Sequence, residues 1–291
     1  MKRILITGVN GLIGSTIAEY LLGNYEVIGT SIEDSNITGL DFKYIKSDIT
    51  HKTTLEQLPE RVDIVVHCAA IITHDNYSNL LLNANCLGVQ NIAAYANGVG
   101  CEKVVYFSSL PIIGKPTIIP ITEEHPINPP TVYHITKYFG EQVLQLLMGE
   151  EKVVIFRITS PIGRKTAPNK IVPVFVKNAI ENVDYNLLGQ GKRIQNYIDV
   201  RDIAKATECA IVKNAFGVFN IASEMSYSNK ELAELCIDLF GSKSNIYYNG
   251  IDREEDYQWV ISTQKAHKVL GFEAQYSLVD TLKEIGKKFQ K

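Results

Sequence analysis

Tyr133 and Lys137 stand four residues apart in "TVYHITK", a spacing that puts both side chains on one face of a helix. A phenol beside an ammonium is a proton-transfer device, because the positive charge favours the tyrosinate, lowers its pKa and makes it a usable proton acceptor near neutral pH. Such a pair also arises by chance in a chain of this composition, so its placement has to carry the argument. "VVYFSS" has the pattern of a strand ending in hydroxyls, the last of them Ser109, and "NPPTVYHITKYFGEQVL" that of a helix entered through prolines. A strand-end hydroxyl and a Tyr/Lys face can then converge on one substrate carbon.

A second constellation opens the chain. In "KRILITGVNGLIG" an apolar run stops at a threonine and gives way to Gly8, Gly11 and Gly14. In such a turn the first glycine permits the reversal from strand to helix, the second lets backbone approach a pyrophosphate, and the third lets the helix pack on the strand. Ile13, Ile17 and Leu21 follow on one helical face, so the free N–H groups and positive dipole end of a helix would point at the phosphates.

The elements that must hold these groups follow from the hydrophobic pattern. Short β-branched runs ("RILIT", "YEVIGTS", "DIVVHCAA", "KVVYFSS", "KVVIFRIT") alternate with helical stretches, which predicts parallel β-α-β units. Runs such as Val104 to Phe107 are apolar on successive residues, as strands covered on both faces are. The fold class is therefore α/β: a Rossmann-type doubly wound parallel sheet with a smaller, discontinuous α/β substrate domain. The expected division gives 1–165 and 196–222 to the dinucleotide-binding domain and 166–195 and 223–291 to the substrate domain. Ser228 and Glu231 are spaced as a capping box at the head of a late helix.

Composition narrows the classes further. With 291 residues, 45% of them hydrophobic, and a net charge of −3, the chain can build a large core and is no nucleic-acid binder. It has no apolar run of about 18 residues and begins on strand-like sequence, so neither a membrane span nor a targeting peptide is expected and the cytoplasm is the expected compartment. Five cysteines without a C-x-x-C and six histidines without ligand spacing predict reduced thiols and no metal site.

These motifs together resemble the extended short-chain dehydrogenase/reductases, the NAD-dependent epimerase/dehydratase family of nucleotide-sugar enzymes. "TGVNGLIG", "SDIT", "HCAA", "NCLGVQN", "FSSLPIIG" and "YHITK" match its early motifs in order. "GQGKRIQNYIDVRDIA", "FNIASEMSYSNKELAEL" and "QKAHKVLGF" match its later ones. The resemblance implies Tyr133 as catalytic acid/base, Lys137 as its partner and ribose ligand, and Ser109 as the donor to the sugar oxygen. It implies Gly8, Gly11, Leu12, Ile13 and Gly14 at the pyrophosphate, Ser31 at the adenosine ribose, and Asp48 and Ile49 near the adenine. Ala69, Ala70, Asn85 and Ser108 would lie along the cofactor, and Ser160, Gln195, Arg193 and Arg253 toward the substrate. It also places Asp199 and Asp202 where the chain returns toward the cofactor domain, with a helix starting at Ile203. The pocket would lie between that crossing, the loop after Ser109 and the segment from Pro161 to Lys177.

Departures from the family pattern select the reaction. The dehydratases' Asp-Glu pair after the strand hydroxyl is Leu110 and Pro111 here, which disfavours elimination. The arginine expected at the substrate diphosphate is Gln195, followed by Asn196, leaving Arg193 or Arg253 to supply the cation. Ser31 is neither the acid that suits NAD nor the arginine that suits NADP; Glu33 and Asp34 lie nearby, and NAD is favoured with NADP possible. The expected activity is epimerisation, at C4 of a nucleotide-linked hexose through a transient keto sugar. The alternatives are a 4-ketoreductase with the same three residues and a silent dinucleotide-binding scaffold. The helices containing "LLLNANCLGVQNIAAYA" and "VYHITKYFGEQVLQLL" carry more apolar surface than one sheet face can cover, and in the family these helices form a dimer interface, so a homodimer is expected.

Overall fold

The computed structural model describes residues 1–73 and 75–290. In chain order its strands are β1 (Arg3–Thr7), β2 (Glu26–Ser31), β3 (Lys43–Lys46), β4 (Ile64–His67), β5 (Lys103–Ser109), β6 (Val153–Ile158), β7 (Ser160–Ile162), β8 (Tyr185–Leu188), β9 (Ile194–Asp199), β10 (Gly217–Ile221), β11 (Ser226–Ser228) and β12 (Ile246–Asn249). Its α-helices are α1 (Leu12–Leu21), α2 (Lys52–Leu55), α3 (Asn79–Leu82), α4 (Gly88–Gly98), α5 (Val132–Met148), α6 (Ile171–Glu181), α7 (Val200–Val212), α8 (Asn229–Phe240) and α9 (Leu278–Gly286).

Seven parallel strands form the main sheet in the order β10-β6-β5-β4-β1-β2-β3. Their consecutive apolar residues divide between two cores. Val105 and Phe107 of β5 face the layer that holds Ile17 of α1 and Ile203 of α7, while Val104 and Tyr106 face Ile92 of α4 and Leu144 of α5. The chain order reverses between β1 and β4, so the carboxyl ends of β1, β2 and β4 open a crevice there, the place where such sheets bind ligands.

A second body forms from β7, β9 and β11 in one small sheet, β8 and β12 in another, and α6, α8 and α9 around a separate core that includes Phe175, Tyr185 and Leu232. The Ser228–Glu231 capping box is present at the head of α8. Three stretches behave differently from the division expected from sequence. Residues 160–162 and 196–199 pair within the small sheet, not the main one, and Ala266, Leu270 and Phe272 are buried in the core beside β1 and α7. Their apolar spacing looks like any late helix and does not reveal which core it enters.

The helix expected from Ile203 begins at Val200, because the Asp199 carboxylate accepts from the Arg201 N–H and caps it. Asp202 in the first turn accepts from the N–H groups of Gln275 and Tyr276, and the Thr281 hydroxyl donates to Asp199. These two acids tie the far end of the chain to the sheet.

Candidate active site

The three glycines of the first turn answer to different neighbours. Gly8 has φ +64°, and a Cβ there would lie 2.7 Å from Ala69 Cα; a Cβ at Gly14 would lie 2.4 Å from the Gly8 carbonyl oxygen. Both positions are closed by the protein itself. A Cβ at Gly11 would meet only the Gly8 oxygen, at 3.2 Å, and Gly11 lines a cavity of about 530 Å³. Its missing side chain keeps open a space for something other than the protein. Gly11 is also the N-cap of α1, with no side-chain cap and no acid in the first turn, so that helix end is available to an anion. The residues present therefore fit a dinucleotide pyrophosphate.

Ser31, Asp48, Ile49, Ala69 and Ala70 line the same cavity, whereas Leu12, Ile13, Gly14, Ser108, Tyr133 and Lys137 do not. Asp48 is held by Thr50, whose N–H and hydroxyl both donate to it, and Asn91 donates to the Ile49 carbonyl. Asn85 stands behind the wall: its side chain makes both bonds of a backbone pair with Ile71, at 2.8 and 2.9 Å, and donates to Thr136 on α5. It shapes the loop after β4 that lines the cavity. Glu33 is in the lining, accepting from the Asn10 amide at 3.1 Å, and the Ser31 hydroxyl beside it holds its carboxyl below the usual range. Asp34 instead pairs with Lys46. Leu80, Asn83 and Ala84 also line it, without any local sequence signal.

Ser109 ends β5, and α5 lies against that strand. The helix approaches closely because residue 140 is glycine: a Cβ there would fall 2.2 Å from the Tyr106 hydroxyl. Tyr106 then donates to the Lys137 carbonyl at 3.3 Å, the Lys137 ammonium sits 4.4 Å from the Tyr106 ring centroid, and that ring stacks on His67 at 5.9 Å. His67 continues the column to Thr7 through Nδ1, at 2.7 Å, and its Nε2 is buried with no partner among the described residues. Burial pushes Lys137 down to about 8, and burial, with the Lys137 charge, pushes His67 down to about 3. Burial pushes the Tyr133 phenol up to about 12. Burial alone sets that shift, and the lowering by Lys137 that the spacing suggested does not enter it. A further positive charge beside Tyr133 is needed to release the proton.

The far half of α5 is anchored by a buried, bidentate pair, with Arg157 Nε and Nη2 donating to Glu141 at 3.1 and 2.8 Å. Thr131 caps the near end by accepting from His134 N–H, and the Tyr133 and His134 rings meet edge to face at 5.1 Å. Helix, strand and cavity wall are thereby fixed around one pair of titratable groups.

The sequence model of the NAD dependent epimerase/dehydratase family matches residues 4–222. The chain belongs to this family. A Methanocaldococcus jannaschii protein, provisionally named a UDP-glucose 4-epimerase, is 28% identical across 97% of this chain and 96% of its own. A dTDP-glucose 4,6-dehydratase of Streptomyces niveus is 25% identical across 97% of this chain and 91% of its own. The crystal structure of the Thermotoga maritima UDP-glucose 4-epimerase with UDP-glucose superimposes with a TM-score of 0.89 at 22% identity, covering 99% of this chain and 98% of that one.

Within this NAD-dependent family fold, the later motif residues take several different positions. Ser160 lies on β7, opposite Tyr197 of β9. Gln195 on β9 donates to the Asn229 side chain, and Asn196 is a buried node that accepts from Thr159 and donates to the Ser223 and Met225 carbonyls. Arg193 does not offer a free cation: its guanidinium grips Asp252 through Nε and Nη2 and meets Glu254 at 3.1 Å. Arg253 has no ion-pair partner among the described residues. No helix among the described residues is long and apolar enough to cross a membrane.

Proposed function

We propose that the chain is an NAD-dependent nucleotide-sugar epimerase acting at C4 of the hexose. The observation that carries this reading is the turn after Ser109. Leu110, Ile112 and Ile113 there are buried in an apolar cluster, with Pro111 among them, so the strand hydroxyl and the Tyr/Lys helix face have an apolar neighbour where elimination would need an acid and a base. The Methanocaldococcus relative's name and the Thermotoga likeness support the same choice.

Bound NAD would supply a reversible hydride acceptor, so that net redox change is zero. The chain's own residues handle the proton and the orientation. Ser109 donates a hydrogen bond to the sugar O4, and the Tyr133 Oη takes the O4 proton and later returns it. Lys137, mostly charged at neutral pH, favours the tyrosinate, and Tyr133, whose burial disfavours that form, would gain further from a bound cationic nicotinamide. Glu33, kept ionised in the cavity, accepts from a ribose 2′-hydroxyl and repels a 2′-phosphate, which supports NAD over NADP. Arg253 is the cation offered to the substrate diphosphate.

In this reading 1–159 and 200–222, joined by the stretch around 266–272, make the cofactor body, and the remaining residues, with β7 and β9, make the substrate body. The second copy of a homodimer covers the outward stripe of Ile135, Phe139 and Leu146 on α5 together with Leu80 and Leu87, all exposed in the single chain. The five unpaired thiols suit a reducing compartment, the cytoplasm. The test is incubation with UDP-glucose and NAD: formation of the C4 epimer without net NADH supports the reading. Stoichiometric consumption of NADPH with a 4-keto sugar would replace it by a reductase, and loss of water by a dehydratase.

A further inference from the structure

The segment "IDREED" puts four acids, Asp252, Glu254, Glu255 and Asp256, around Arg253. Left to themselves, these carboxylates would repel one another, repel a diphosphate and compete for the one arginine among them. Each is occupied elsewhere. Asp252, with only 2% of its side chain exposed, receives Arg193 Nε at 2.7 Å and Nη2 at 2.6 Å, and Glu254 meets Arg193 Nη1 at 3.1 Å. Glu255 accepts from the backbone N–H groups of Gln190 and Lys192, and Asp256 pairs with Lys115.

The turn that receives this loop is shaped for it. Gly189 has φ +61°, and a Cβ there would lie 2.3 Å from Glu255 Oε1 and 3.1 Å from Asp252 Cβ. Arg193 follows Gly189 and Gly191 into β9, so the same turn supplies the seat and the cation that grips it. The hydrogen bond from Arg193 holds the Asp252 carboxyl below its ordinary value. If Arg193 were removed, a buried carboxylate next to Arg253 would lose its partner, and Arg253 is the nearest cation in sequence able to replace it.

We propose that Arg193 is a positioning residue: by holding Asp252 and Glu254 it keeps Arg253 unpaired and available to a nucleoside diphosphate. This rests on the reading of the substrate as a nucleotide sugar with Arg253 at its diphosphate. Arg193 itself touches no substrate.

The experiment is calorimetric titration of the NAD-loaded protein with UDP, for the wild type, Arg193→Met, Arg253→Met, the double variant and the exchanged pair Arg193→Asp/Asp252→Arg. Each single variant is expected to weaken UDP binding about tenfold or more, while NAD affinity stays within about twofold. In the double variant, binding should be no weaker than in Arg253→Met alone, because the two residues act through one contact. The exchanged pair should recover part of the loss, and in turnover Arg193→Met should raise KM with little change in kcat.

If Arg253→Met weakens UDP binding and Arg193→Met does not, or if the two losses multiply in the double variant, the positioning role is overturned and the diphosphate reading stands. If Arg253→Met has no effect, the diphosphate reading falls and the positioning role falls with it. Should Arg193→Met prove too unstable to titrate, Arg193→Gln, which keeps a hydrogen-bond donor but removes the charge, serves in its place, and unchanged UDP affinity there overturns the proposal.

Discussion

The two halves of α5 rest on the same sheet and treat buried charge in opposite ways. Toward its carboxyl end, Glu141 meets the Arg157 guanidinium through two parallel hydrogen bonds, and the third guanidinium nitrogen donates to the Glu123 carbonyl. The charges of this pair are satisfied within the protein. Toward its amino end, Lys137 is buried above an aromatic ring with no carboxylate in ion-pair range among the described residues, and Tyr133 is pushed far from its ordinary pKa. Satisfied charge makes scaffold; charge that stays unsatisfied until a ligand arrives makes a site.

Breaking the near half should destroy chemistry without unfolding the helix. Tyr133→Phe is expected to lower kcat by about 10² to 10⁴ fold, the range for a general acid/base group, while the melting temperature and NAD affinity hold. Retention of more than about a tenth of the turnover would remove Tyr133 from the proton path. Breaking the far half should do the reverse. Arg157→Met leaves the Glu141 carboxylate buried and alone, and is expected to cost about 3–5 kcal/mol in denaturant unfolding while kcat per folded molecule changes little. Equal losses of kcat and stability in both variants would dissolve the distinction between the halves.

A smaller effect sharpens the comparison from beneath. His67, at the foot of the Lys137–Tyr106 stack, has its pKa lowered from the ordinary 6.5 to about 3, so on going from pH 6.5 toward pH 3 the unfolded chain takes up a proton that the folded one refuses. Stability therefore falls with acid over that interval, by up to about 1.4 kcal/mol per pH unit from this one group. His67→Gln should reduce the stability lost between pH 6.5 and pH 5 by about 1.6 kcal/mol, measured by urea unfolding at the two values. An unchanged slope would mean that His67 is protonated in the fold.

Local chemistry was legible in the sequence; contacts between distant segments were not. The glycine turn and the Tyr/Lys face are set by spacings of three and four residues, so their geometry is contained in the elements that carry them. The sequence offers Arg193 and Arg253 alike as the diphosphate cation, because the partner of Arg193, Asp252, lies on another loop, brought near by the pairing of β8 with β12. The His67–Tyr106–Lys137 column needs the neighbouring placement of β4 and β5, which strand patterns alone do not give. Asn85 carried a family motif, yet only the fold shows that it bonds to Ile71 and Thr136. The helix α7 starts three residues before Ile203 because Asp199, four residues ahead of Ile203, serves as the cap.

The burial of Ala266, Leu270 and Phe272 against β1 and α7 bears on how the molecule is made. A chain emerging from the ribosome amino terminus first has all the strands of the cofactor sheet once Ile221 is out, but its core still lacks these three side chains. Until they arrive, apolar surface beside α7 faces water, a state prone to association. The dinucleotide-binding half, although it comes first in the sequence, can close its core only when synthesis is nearly over, so a fragment ending at β10 should depend on a chaperone or on the missing tail added in trans.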